Sequence, residues 1–135
     1  MGAFKYIREN EKSIYRDKDR QRELVYALAR SSSIERPDGP TKLAKARSIG
    51  YKAKRGYIVV RVRVNKGSFR RVRPVHARRP SKTGIYYNLS ISKKKIAENR
   101  AAKRYPNMDI LGSYFLGDNG KYQWYEVVMH DRLAK

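Results

Sequence analysis

Residues 48–67 read SIGYKAKRGYIVVRVRVNKG. From Tyr57 to Val64 the alternation is strict. Ile58, Val60, Val62 and Val64 point one way, and Tyr57, Val59, Arg61 and Arg63 point the other. A strand sends successive side chains to opposite faces, so this stretch predicts a core face backed by a largely cationic face. Tyr51, Lys52, Lys54 and Arg55 precede it on a loop punctuated by Gly50 and Gly56. A strand with an arginine face and a lysine-rich entry loop invites a polyanion.

The rest of the chain sharpens that contrast. Of 135 residues, 33 are Lys or Arg and 12 are Asp or Glu, a formal net charge of +21. Residues 36–82 hold 16 of the basic groups against Asp38 alone, so +15 of the +21 lies there. Repulsion on that scale opposes compaction unless a partner neutralises it. The apolar fraction is 40% and the mean hydropathy −0.84, so the core is small relative to the polar surface. The length suits one domain, residues 1–135. With no apolar run near the ~20 residues of a spanning helix, no membrane partner is expected. MGAFKYIREN has no apolar block, so no cleavable signal is expected there. The absence of cysteine fits an intracellular setting.

Residues 2–30 are predicted helical, with Leu24, Val25 and Leu28 at helical spacing and Phe4, Ile7 and Ile14 as a weaker set. Ser31 to Ser33 end the helix. After the turn-rich IERPDGP (34–40), Thr41 is expected to cap a short helix over Lys42 to Ser48, stopped by Gly50. Lys42, Lys45 and Arg47 ride on it. Residues 66–84 are predicted to form a basic extended arm, ordered by phosphate. Its cations are Lys66, Arg70, Arg71, Arg73, Arg78, Arg79 and Lys82, with His76 among them. IYYNL (85–89) either pairs or packs.

Ser90 or Ser92 is expected to cap a helix over Lys93 to Tyr105, with Ile96, Ala97, Ala101 and Tyr105 as its buried stripe. Lys93, Lys94 and Lys95 crowd its first turn. The dipole disfavours cations there, which reads as a second phosphate contact. Residues 109–116 and 121–130 predict a hairpin around Gly117 to Gly120. Its aromatics are expected to pack. The order of elements gives an α+β fold with a small, mostly antiparallel sheet.

Catalytic chemistry lacks its parts. His76 and His130 are the only histidines, no cysteine exists, and no carboxylate pair lies near either histidine. A zinc site would lack ligands, and GDNGKY lacks P-loop spacing. No enzyme activity, metal, cofactor or small-molecule substrate is expected. A DNA- or chromatin-binding protein is the competing reading of the charge, though no helix is patterned for a major groove.

RPDGPTKLAKARSIGYKAKRGYIVVRVRVNKG (36–67) resembles the signature block of large-subunit ribosomal protein fifteen, "e" type, of archaea and eukaryotes. MGAFKYI (1–7) and SYFLGDNGKYQWYEVVMHD (113–131) are similar to that family too. The resemblance implies a structural component of the large ribosomal subunit. Its partners would be large-subunit rRNA and neighbouring ribosomal proteins. It carries RNA contact onto Lys42, Lys45, Arg47, Lys52, Lys54, Arg55, Arg61 and Arg63. Members usually continue past the hairpin into a tail rich in His, Arg and Gly, and the chain stops at Lys135, short of one. Replacing Arg61 and Arg63 by Ala together is expected to weaken RNA binding with little loss of fold.

Overall fold

A computed structural model describes residues 2–70, 72, 80–82, 84 and 86–134. The centre is a four-stranded antiparallel sheet in the order β1-β2-β6-β5. Its strands are β1 (Ile34–Glu35), β2 (Tyr57–Asn65), β5 (Met108–Asp118) and β6 (Tyr122–Asp131). The quoted stretch therefore supplies an inner strand, flanked on both sides. The helices are α1 (Ala3–Arg16), α2 (Lys18–Arg30), α3 (Leu43–Ile49) and α4 (Lys93–Arg104). The α+β expectation holds.

Both faces of the sheet are covered. Ile58, Val60, Val62 and Val64 join Val127, Met129 and Met108 against Ala97 and Ala101 of α4. Small residues on α4 let the helix lie close to the strands. Ser92 caps α4 by accepting from the Lys95 N–H at 3.2 Å, and Ile96 and Tyr105 pack at the rim of this cluster. On the other face Trp124, Val128, Tyr114 and Leu116 meet Leu28 of α2 and Ala46 of α3. Val59 is buried as well. The largely cationic side of β2 is thus covered in part: Val59 is buried, and Tyr57, Arg61 and Arg63 are half-buried. Alternation along one strand shows which residues share a face, not what covers it.

The N-terminal helical segment is two helices. Asp17 has extended backbone, and its carboxylate accepts the Asp19 N–H at 3.0 Å, which restarts the helix. The β5–β6 hairpin is longer than expected and carries two register shifts, at Leu111 and Leu116. These bulges rephase β5, so Leu111 and Phe115 are exposed while Ser113, Tyr114 and Leu116 are all buried. Asn119 closes the turn by accepting from the N–H groups of Lys121 and Tyr122.

The roots of the predicted arm pair as a two-stranded antiparallel ribbon, β3 (Phe69–Arg70) with β4 (Tyr86–Tyr87). Between them Pro80–Lys82 form a 3-10 turn. Arg71, Arg73, His76, Arg78 and Arg79 lie outside the described residues, as do Thr83 and Ile85.

Candidate nucleic-acid interface

The GYKAKRGY loop is built by its two glycines. Gly50 (φ 109°) ends α3, its N–H donating to the Arg47 carbonyl at 3.0 Å. Gly56 (φ 88°) turns the chain into β2, and its carbonyl accepts the Asp131 N–H at 2.8 Å. A Cβ on Gly56 would fall 2.6 Å from the Ala134 Cβ, so the loop is seated on the turn after β6. Positive φ and that close approach both require glycine.

Above this seat lie three rings. Tyr51 meets Tyr57 edge to face at 6.4 Å, and Tyr57 lies 4.5 Å from the His130 imidazole. The Lys54 ammonium sits 5.9 Å from the Tyr57 ring centre. Lys52 and Arg55 are exposed, as are Lys45 and Arg47 on the preceding helix. Among the described residues none of these four side chains has an ion-pair or hydrogen-bond partner. α3 runs through Gly50 directly into the loop, so exposed cations stand on both sides of that glycine.

Arg61 differs. Its guanidinium lies 3.3 Å from the Glu126 carboxylate and 3.5 Å from that of Glu35, and its side chain is only 18% exposed. Register explains this, since β2 places Arg61 opposite Glu126 of β6 and opposite Glu35 of β1. Glu126 is wholly buried and fully used. It accepts the Thr41 N–H at 3.0 Å, the Thr41 hydroxyl at 2.5 Å and the Tyr114 hydroxyl at 2.5 Å. Arg61 also donates to the Thr41 hydroxyl at 3.2 Å. The Arg61 charge is therefore part of the core, against the expectation of a free RNA contact. Glu126 escaped sequence reasoning, although an acid alternating with Trp124 and Val128 on one strand face was its visible sign.

Thr41 likewise does not cap α3. The cap comes from α1, where the Glu11 carboxylate accepts the Ala44 N–H at 2.5 Å. Lys42 donates to the Phe115 carbonyl at 2.8 Å and lies 4.0 Å over the Tyr15 ring. Burial lowers the Lys42 pKa, opposed by the charges of Glu126 and Glu11. Tyr15 is pushed up to about 12, first by burial and then by the same two carboxylates. Tyr114 is raised further by burial and by its bond to Glu126.

The remaining expected contacts divide. Arg63 stacks 4.4 Å over Tyr122, and Lys66 pairs with Asp118. Lys93 donates to the Gly67 carbonyl at 2.6 Å, and Lys95 lies 3.4 Å from Glu98. Lys94 is exposed without a partner among the described residues. Only the backbone is described for Arg70 and Lys82. No group of three or more His, Cys, Asp and Glu among the described residues could hold a metal ion.

The model of the ribosomal L15 family matches residues 2–135. The chain belongs to the ribosomal L15e family. That family is structural and non-enzymatic, and membership implies a role in the large ribosomal subunit. It implies rRNA and ribosomal proteins as partners. Among the described residues no helix is long and apolar enough to cross a membrane.

Proposed function

We propose that this L15e chain binds and stabilises large-subunit rRNA chiefly through Lys45, Arg47, Lys52, Lys54 and Arg55, on cytoplasmic ribosomes. One observation carries the reading: α3 and the glycine-framed loop present exposed cations that have no acidic partner among the described residues, beside the Tyr51, Tyr57 and His130 rings of the loop's seat. Phosphates neutralise such a surface, and half-buried rings can offer their open edges to unpaired bases. Lys94 and the exposed edge of Arg63 add contacts. The cations of the arm, Arg70, Arg71, Arg73, Arg78, Arg79 and Lys82, join the set on charge alone. Arg61 is left out of the set because its charge is held by Glu126.

The test is filter binding of the full chain to protein-free large-subunit rRNA and to duplex DNA at matched salt. The expected result is tighter binding to the rRNA, with affinity falling steeply as salt rises. Tighter binding to duplex DNA would overturn the reading.

A further inference from the structure

A second cationic feature lies apart from the loop. A cleft of about 460 Å³ opens between α1 and α3, and no residue of 50–57 lines it. The volume falls within the ~300–1,000 Å³ of ordinary small-ligand sites, a range that admits one nucleotide. Its walls carry Arg8, Lys12, Lys42 and Lys45 against a single acid, Glu11. Glu11 is already aimed at the α3 backbone through Ala44. Lys42 is fixed on the Phe115 carbonyl and over Tyr15. The side chains of Arg8, Lys12 and Lys45 are exposed and form no ion pair or hydrogen bond among the described residues.

Phe4 and Tyr15 supply rings to the same cleft, and Phe4 remains 44% exposed although it belongs to neither core cluster. Each ingredient alone has an ordinary use. Free cations suit any phosphate backbone, and exposed rings suit any apolar partner. Their convergence in one concave site suits a base on a ring with its phosphate on flanking cations.

We propose that this cleft takes a single unstacked nucleotide of the rRNA. Its base lies against Phe4 and Tyr15, and its phosphate is held by Arg8, Lys12 and Lys45. The proposal rests on the rRNA-binding reading above and gives it a base-contacting site between α1 and α3 that shares Lys45 with the loop's set.

The test is ultraviolet crosslinking of the full chain to protein-free large-subunit rRNA, with mass-spectrometric mapping of nucleotide-bearing peptides. The expected products include Phe4 or Tyr15 joined to one nucleotide. Phe4→Leu keeps apolar bulk on an exposed helix position but removes the ring. It should abolish the Phe4 product and weaken rRNA binding about tenfold, in the range of one base–aromatic stack. Salt-sensitive rRNA binding with every crosslink outside α1 overturns the cleft and leaves the broader reading standing. Unchanged affinity of Phe4→Leu does the same. Absence of rRNA binding by the unaltered chain overturns both.

Discussion

The Arg61 guanidinium and the Glu126 carboxylate meet 3.3 Å apart between directly paired positions of β2 and β6. Around them Thr41 and Tyr114 donate to the same carboxylate, so one buried acid ties the 34–42 connection, β2 and β5 to β6. Removing one partner of a buried pair leaves the other charge uncompensated. Arg61→Ala is therefore expected to lower unfolding free energy by about 3 kcal/mol or more. Arg61→Met with Glu35→Gln and Glu126→Gln leaves no stranded charge and should recover over half of that loss. Urea unfolding of the three proteins decides it, and an unchanged midpoint for Arg61→Ala would remove the structural assignment.

A second joint ties α1 to α3. Glu11 caps the Ala44 N–H from 33 residues away in sequence. Glu11→Ala should cost about 1 kcal/mol, as losing an N-terminal cap does. Hydrogen exchange at the Ala44 amide should quicken relative to buried amides of β6. Glu11→Gln retains an acceptor oxygen and should stay close to the parent. Equal exchange at Ala44 in all three proteins would show that the cap is incidental.

These joints also mark where the sequence stopped being legible. Local signals were readable: alternation in β2, Ser92 before α4, the glycine stop at Gly50, and the turn around Asn119. Each is decided by residues within a few positions of itself. Arg61 reads as a free cation from the sequence because its neutralising acids, Glu35 and Glu126, are brought beside it only by strand register. Thr41 looked like a cap because Glu11 is invisible from position 41. The bulges at Leu111 and Leu116 shifted a clean alternation out of phase. The loop cations stayed visible because their exposure depends on local glycines and a run without acids.

The loop cations yield a different signature from Arg61. Arg47→Gln, Lys52→Gln and Arg55→Gln each remove an exposed charge without a protein partner among the described residues. Stability should stay within about 0.5 kcal/mol of the parent. Each change should lower the salt dependence of rRNA binding by about 0.7–0.9 in the log–log slope. Binding isotherms over a salt series measure this. Parent-like slopes for all three would place the phosphate contacts elsewhere.

Tyr15 and Tyr114 are expected to make stability fall at alkaline pH. Tyr15 is raised from 10.0 to about 12, and Tyr114 moves in the same direction through burial and its bond to Glu126. A folded pKa above the unfolded one favours the protonated native state. That contribution is complete below pH 10 and is lost as pH rises through the folded value. Unfolding free energy should therefore decline above pH 10, as tyrosines ionise more readily in the unfolded chain. Tyr114→Phe removes one such group and should flatten the decline. At neutral pH the same substitution should cost about 1–3 kcal/mol, because Glu126 loses a donor it cannot replace from water. Urea titrations at about pH 8 and about pH 11 separate the two effects. A variant that loses stability at the lower pH yet keeps the parent slope would show that Tyr114 titrates alike in both states.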